Sequence, residues 1–222
     1  MSKRGQGALD LAADKTRALT FTPVSRETEK RLDMFVELLL LWQQKQNLVA
    51  PSTLPRLWTR HIADSLQLLD LAPDARVWVD FGSGGGFPGL VIACALADKA
   101  GSMVHLIESN GKKATFLREA VRITGAPALV HQERVEKFAE NCAEPVDVVT
   151  ARVLASLKIL CDQAFPLIDR GALGLFPKGQ DVDAELTAAA KYWTLEAEQV
   201  PSKTSREGSI VVIHGLKPLN RP

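Results

Sequence analysis

The residues best suited to chemistry form a glycine-rich turn that follows a short apolar run. The run Val77–Phe81 leads into Gly82, Gly84 and Gly86, which alternate with other residues. Because glycine has no Cβ, such a turn brings bare backbone amides close to a ligand where a helix begins. In α/β proteins this place is the carboxyl edge of a parallel sheet, where nucleotides bind. The turn therefore predicts a site for an adenosine-containing cofactor.

The turn departs from two common phosphate-binding loops. Phe87 stands where a dinucleotide fingerprint has its third glycine, and no Gly-Lys-Ser/Thr closes the loop. Asp80 precedes the turn and can accept a hydrogen bond from the cofactor or fix the loop, and Ser83 lies within it. A tight turn that binds no ligand is the alternative.

The second apolar run, Met103–Glu108, ends in an acid. Glu108 ends this run, where a carboxylate can accept hydrogen bonds from both ribose hydroxyls of an adenosine. Enzymes that use NAD and enzymes that use S-adenosylmethionine share this arrangement. Taken alone, Glu108 could equally be an exposed acid at a strand end.

Two cations follow later strands at the same predicted edge. Arg152 comes after Val146–Ala151, and Lys178 comes after Gly171–Pro177. Two cations beside one crevice suit a phosphate or an electron-rich base, although a surface arginine is the simpler interpretation of Arg152. His61 lies on the apolar stripe of a helix, which is typical of a core histidine.

Several signatures are missing. The fourth strand does not end in Asp/Asn-Pro-Pro-aromatic, which is usual where an exocyclic amine is methylated, and no Pro-Cys pair follows it. No HExxH motif or Cys/His cluster occurs, so we predict no metal site.

The elements that must position these residues alternate between strand and helix. This order predicts an α/β fold with a mostly parallel sheet and helices on both faces. The late runs Trp193–Val200 and Ile210–His214 have no helix between them and predict an antiparallel hairpin at one edge. We expect a loose tail over residues 1–25, an N-terminal helical region over 26–73 and the catalytic domain over 74–218.

Composition sets wider limits. The 222 residues carry a net charge of +1, so global charge does not indicate a nucleic-acid partner. Three unpaired, scattered cysteines suit a reducing compartment. The sequence contains neither a signal peptide core nor an apolar run of about 18 residues, and we expect a cytoplasmic protein without a membrane span.

Several stretches resemble one family, the bacterial small-subunit ribosomal RNA guanine-N7 methyltransferases (RsmG, or glucose-inhibited division protein B). The likeness covers roughly residues 30–214. The stretches that carry it are Val79–Gly89, Asn47-Leu48, Arg60–Ser65, Glu108–Lys113 with Phe116–Arg118, Ala151–Leu157 and Lys178-Gly179.

The resemblance implies a Rossmann-like class I methyltransferase fold, with S-adenosylmethionine as donor and S-adenosylhomocysteine as product. The acceptor would be a guanine N7 in 16S ribosomal RNA, free or in the assembled small subunit, and the enzyme a monomer. Catalysis and acceptor binding would fall to Arg152, Lys178 and His61, with Asn47 on the acceptor side. The expected cofactor contacts are Asp80, Gly82, Ser83, Gly84, Gly86, Phe87, Glu108, Val135, Glu136 and Arg152.

The chain also departs from the family pattern. Ala151 stands where the family often has serine, and the arginine usual before the last strand is replaced by Gly208, with Arg206 further upstream. Because guanine N7 has a lone pair and no proton, transfer to it needs no general base. Two alternatives remain open. One is a methyltransferase for another RNA base or a small molecule, and the other is a non-catalytic nucleotide-binding module.

Overall fold

The computed structural model describes residues 3–219, with side chains from residue 11 onward. Within this range one mixed sheet contains seven strands in the order β3-β2-β1-β4-β5-β7-β6. The strands are β1 (Val77–Phe81), β2 (Met103–Ile107), β3 (Ala128–His131), β4 (Val148–Ala151), β5 (Leu173–Lys178), β6 (Trp193–Pro201) and β7 (Ser209–Pro218).

The strands β1 to β5 pair in parallel, whereas β7 runs antiparallel to both β5 and β6. This confirms the predicted parallel sheet with an antiparallel hairpin at one edge. The helices are α1 (Lys3–Phe21), α2 (Arg26–Gln43), α3 (Asp64–Leu66), α4 (Gly89–Leu96), α5 (Gly111–Thr124), α6 (Val135–Asn141), α7 (Leu157–Ile168) and α8 (Val182–Ala189).

Alternating side chains of the strands fill two hydrophobic cores, one on each face of the sheet. Trp78 faces the core formed with α2, α4 and α5, while its neighbour Val79 faces the core formed with α6, α7 and α8. Because successive strand residues point to opposite faces, a central strand covered on both sides must be apolar at nearly every position. The predicted helices on both faces are confirmed.

The N-terminal segment is more ordered than its sequence indicates. The loose tail expected over residues 1–25 is wrong for most of this range, because α1 occupies Lys3–Phe21; residues 1 and 2 lie outside the described part. The buried carboxylate of Asp14 accepts hydrogen bonds from the backbone N–H groups of Trp58 and Thr59 at 2.8 and 3.1 Å. This long-range contact holds α1 against the helical region.

The second half of the helical region is irregular. A 3₁₀ turn (Pro51–Arg56) leads into a π-helical turn (Trp58–Ala63), then α3, and then another 3₁₀ turn (Gln67–Leu71). Wide π turns inside helical segments are frequent at functional sites. Here the π turn contains His61 and brings it to the carboxyl edge of the sheet.

Candidate active site

The glycine loop between β1 and α4 is closed by its own backbone. The N–H of Gly86 donates to the carbonyl of Ser83 at 2.7 Å, and the Ser83 hydroxyl donates to the carbonyl of Asp80 at 3.0 Å. Gly82, Gly84 and Gly86 have φ values of +65°, +53° and +90°, in the left-handed region that side chains disfavour. The backbone conformation of the turn therefore explains why glycine stands at these three positions.

Two neighbouring segments approach the loop closely. A Cβ added at Gly82 would lie 2.6 Å from Cδ1 of Leu154, in the loop after β4. A Cβ added at Gly85 would lie 2.8 Å from the backbone carbonyl oxygen of Leu48, in the turn after α2. Glycine at these two positions therefore allows the loop to pack against both segments.

Glu108 fastens the loop from the end of β2. One carboxylate oxygen accepts from the Gly84 N–H at 3.0 Å, and the other accepts from the Asn110 N–H at 2.7 Å. The Asn110 side chain in turn caps α5 by accepting from the N–H groups of Lys112 and Lys113. Since each carboxylate oxygen has two lone pairs, Glu108 keeps acceptor capacity for a ligand hydroxyl.

Asp80 is fully buried beneath the loop. One carboxylate oxygen accepts from the Gly89 N–H at 3.0 Å, while the other, Oδ1, has no hydrogen-bond partner among residues 3–219. Burial raises the pKa of Asp80 to about 7, against the opposing effect of its hydrogen bonds. Its position supports a role in fixing the start of α4.

His61 and Arg152 form a hydrogen-bonded pair next to the glycine loop. Nη2 of Arg152 lies 2.6 Å from Nδ1 of His61, and Nε2 of His61 lies 2.8 Å from the hydroxyl of Thr53. Because a guanidinium can only donate, Nδ1 accepts and the proton of the neutral ring resides on Nε2. Burial, reinforced by the nearby charge of Arg152, lowers the pKa of His61 to about 3.

Phe87 links this pair to the loop. Its ring centroid lies 4.9 Å from that of His61 and 5.3 Å from that of Phe35 in α2, and the Arg152 guanidinium lies 5.2 Å from its centre. The residue that replaces the third glycine therefore packs the loop against the helical region.

Asp64 connects this pair to a loop that is remote in the sequence, and it was not among the predicted site residues. Its Oδ2 lies 3.4 Å from Nη1 of Arg152, and its Oδ1 accepts from the Thr204 hydroxyl at 2.7 Å and from Gln67 at 2.9 Å. Thr204 belongs to the loop between β6 and β7, far away in sequence. In the sequence, Asp64 stands out only as part of the stretch Arg60–Ser65 that carries the family resemblance.

Arg152 and Lys178, predicted to meet at one crevice, both line a single cavity of about 320 Å³. The Lys178 ammonium donates to Glu185 at 2.7 Å and to the carbonyl of Ala155 at 3.0 Å, which leaves one donor. The other lining residues are Arg60, Asp64, Gln67, Val153, Pro177, Gly179, Gln180, Ser202, Ser205, Glu207, Gly208, Ser209 and Ile210.

The remaining predicted site residues lie around the same edge. Asn47 is exposed in the turn that touches the glycine loop and does not line the cavity. Val135 is buried at the start of α6, and the exposed Glu136 accepts from Gln163 at 2.7 Å. Arg206 is exposed in the β6–β7 loop, whereas Gly208 lines the cavity.

Among the described residues, no group of three or more His, Cys, Asp or Glu side chains could hold a metal ion. Within the same range, no helix is long and apolar enough to cross a membrane.

The strand order, with β7 inserted antiparallel between β5 and β6, and the glycine loop after β1 define a class I S-adenosylmethionine-dependent methyltransferase. A putative O-methyltransferase from Klebsiella pneumoniae has a TM-score of 0.59 at 13% identity, covering 95% of this chain and 99% of that one. The O-methyltransferase from Bacillus cereus in complex with SAH has a TM-score of 0.58 at 15% identity, covering 94% and 99%. These likenesses concern the fold.

Sequence comparison specifies the family. Residues 28–211 match the GidB model, described as rRNA small subunit methyltransferase G. A relative from Bradyrhizobium sp. (strain BTAi1) named "Ribosomal RNA small subunit methyltransferase G" is 62% identical, covering 91% of each chain. One of the same name from Rhodopseudomonas palustris (strain BisB18) is 58% identical, covering 94% of this chain and 89% of that one. The chain belongs to the rRNA small subunit methyltransferase G family, which confirms the resemblance seen in its motifs.

Proposed function

We propose that this enzyme transfers a methyl group from S-adenosylmethionine to N7 of a guanine in small-subunit ribosomal RNA. Family membership supports the RNA substrate. The observation that carries the choice of N7 is that both ring nitrogens of His61 are hydrogen-bonded, one to Arg152 and one to Thr53. This arrangement leaves neither histidine nitrogen available to take a proton from the acceptor.

The residues of the glycine loop fit the cofactor. The glycines leave the backbone of the loop bare, and they also allow it to pack closely, because Cβ atoms at Gly82 and Gly85 would collide with Leu154 and Leu48. Glu108 retains lone pairs for ribose hydroxyls. When bound, S-adenosylmethionine supplies a methyl group on a positively charged sulfur. The Glu108 carboxylate lies on this side of the site, which suits a cationic donor. Val135 and Glu136, which follow β3 at the same edge, are proposed to contact the adenine.

The acceptor side is built from fixed cations. Asp64 and His61 hold the Arg152 guanidinium in one orientation, and Glu185 holds the Lys178 ammonium. Donors fixed in this way can bind the O6 atom of a guanine or a neighbouring phosphate without reorganisation. Asn47 approaches from the turn beside the glycine loop.

Positioning then accounts for most of the catalysis. An unprotonated ring nitrogen needs only to be aligned with the donor, and alignment of two reactants can contribute about 7–11 kcal/mol. The target base must leave its stack to reach the cavity, so a loop or a flipped guanine is the expected substrate.

The cellular setting follows from the substrate. We propose that the enzyme acts as a monomer in the cytoplasm on ribosomal RNA, either free or in the small subunit. The three cysteines of the chain are all free thiols, which is compatible with a reducing compartment.

A transfer assay tests the proposal. Purified protein is incubated with tritiated S-adenosylmethionine and, separately, 16S ribosomal RNA, small subunits or a metabolite extract from cells that lack the enzyme. Label in 16S RNA or in small subunits is the expected result. Label only in metabolites would favour a small-molecule enzyme, and calorimetric binding of NAD in place of S-adenosylmethionine would favour a non-catalytic nucleotide-binding module.

A further inference from the structure

A groove on the far side of the glycine loop from the cavity has no part in the site described above. It lies between the end of α2 and the start of α5 and has a volume of about 550 Å³. We call it the α2–α5 groove. Its lining includes Leu38, Leu41, Trp42, Lys45, Lys112 and Glu119.

We propose that the α2–α5 groove binds the strand of ribosomal RNA that flanks the target guanine. This inference rests on the proposed function, because it assigns a second contact surface to the same RNA. Lysines at its rim would bind phosphates, and its apolar surface would receive the face of an unstacked base.

The charges of the groove favour a polyanion. Lys45 and Lys112 are both exposed, and neither forms an ion pair within residues 3–219. The acid of the groove, Glu119, accepts a hydrogen bond from the Trp42 indole N–H at 3.1 Å. This bond fixes the indole.

The apolar surface is exposed where a folded protein would normally bury it. The Leu41 side chain is 63% exposed at the mouth of the groove, one residue before Trp42. Apolar and aromatic surface beside unpaired lysines is the combination that single-stranded nucleic acid binders use. With a net charge of only +1 over the whole chain, such a local cluster is where an RNA contact is expected.

Both walls of the groove lead to the donor site. The α5 wall begins after Asn110, whose N–H is bound by Glu108. The α2 wall continues into the turn that carries Leu48, whose carbonyl touches the glycine loop at Gly85. An RNA strand in the groove would therefore continue towards the loop.

A chain of aromatic contacts also connects the groove with the loop. Trp42 packs on Phe116 at 5.6 Å, Phe116 lies 6.3 Å from Phe35, and Phe35 lies 5.3 Å from Phe87. The groove and the donor loop thus share one packed support, which keeps their separation constant.

The test compares two double variants of the full-length enzyme. Lys45→Gln with Lys112→Gln removes both rim charges. Lys191→Gln with Lys217→Gln removes two exposed lysines at the opposite edge of the sheet, where β6 begins and β7 ends. The KM for unmodified 16S RNA is measured at several salt concentrations, and S-adenosylmethionine affinity is measured by calorimetry.

We expect the slope of log KM against log salt concentration to be smaller by about 1.4 for the groove variant than for the wild type. Each phosphate contact on a single strand contributes about 0.7 to this slope, and the variant loses two. This corresponds to a KM about 25-fold higher at 0.1 M salt, with wild-type affinity for S-adenosylmethionine. The control variant should match the wild type.

Equal KM values and salt slopes for both variants would overturn the groove proposal. The proposed function would still stand in that case, provided that the wild type methylates RNA. A defect on assembled small subunits but not on naked RNA would also overturn it, because the groove would then bind a ribosomal protein. Failure of the wild type to methylate both naked 16S RNA and small subunits would instead reject the proposed function.

Discussion

Nη2 of the Arg152 guanidinium lies 2.6 Å from Nδ1 of His61, across the boundary between the helical region and the sheet. This bond fixes the histidine tautomer and, together with Asp64, fixes the arginine. The site is therefore assembled by the fold before any ligand arrives. Such preorganisation is what a reaction without proton transfer requires.

Replacement of Arg152 tests this contact. Arg152→Ala should lower kcat/KM for RNA methylation by about 100-fold or more, because misplaced reactants lose the benefit of alignment. It also leaves the buried Asp64 with only the more distant Arg60 guanidinium, at 3.8 Å, as an ion-pair partner. Arg152→Lys is the matched variant, since it keeps the charge but cannot reach His61, Asp64 and the Arg60 carbonyl together. Steady-state kinetics and thermal melting separate the two effects, and wild-type kinetics for both variants would remove Arg152 from the mechanism.

The depressed pKa of His61 predicts a pH dependence of stability. Between about pH 6.5 and 3, unfolded His61 binds a proton that folded His61 does not, so acidification destabilises the fold. Relative to His61→Gln, the wild type should lose about 1.4 kcal/mol more of its free energy of unfolding per pH unit from pH 5.5 to 4. Denaturant titrations measure this slope. His214→Gln, at an exposed histidine of β7, should keep the wild-type slope, and an unchanged slope for His61→Gln would refute the prediction.

The raised pKa of Asp80 predicts the opposite pH dependence of stability. Its pKa is about 7 in the fold, whereas an aspartate in the unfolded chain titrates at about 3.9, so the folded state binds more protons and stability falls as pH rises through this window. Asp80→Asn keeps an acceptor for the Gly89 N–H and cannot ionise. Without cofactor, its melting temperature relative to wild type should rise from pH 5 to pH 8. A constant difference would contradict the prediction, and Asp169→Asn on the surface serves as control.

A pair of glycine substitutions separates backbone strain from cofactor binding. Gly82 and Gly101 have φ values of +65° and +76°, so alanine at either costs about 1 to 2 kcal/mol of stability. A Cβ at Gly101 meets nothing within 4 Å, whereas one at Gly82 would lie 2.6 Å from Cδ1 of Leu154, so the loop or this side chain must shift. Calorimetry should show weaker S-adenosylmethionine binding for Gly82→Ala only. Equal affinities would place the cofactor elsewhere.

Much of the sheet and its loop could be predicted from local sequence. The run Val77–Phe81, the glycines after it and the cap at Asn110 each have a cause within a few residues. Arg152 and Lys178 were predicted to lie close together because each follows a parallel strand that ends at the same edge of the sheet. Both residues do line one cavity.

Long-range polar contacts escaped prediction. The helix α1 is held in part by a contact that is remote in sequence, in which Asp14 reaches Trp58 and Thr59. The role of Asp64 depends on Thr204, which lies in a loop with no recognisable motif. The helix α6 was also missed, because its seven residues are too short to show a clear period.

The atom that receives the methyl group tests the central claim most directly. Unmodified 16S RNA is methylated by the purified enzyme and then treated with reagents that cleave the chain only at 7-methylguanosine. The account predicts one new cleavage site at a guanine, present after reaction with wild-type enzyme and absent after reaction with Arg152→Ala. Methylated RNA that resists this cleavage would show that another atom is modified, and the account of a reaction without a base would be wrong.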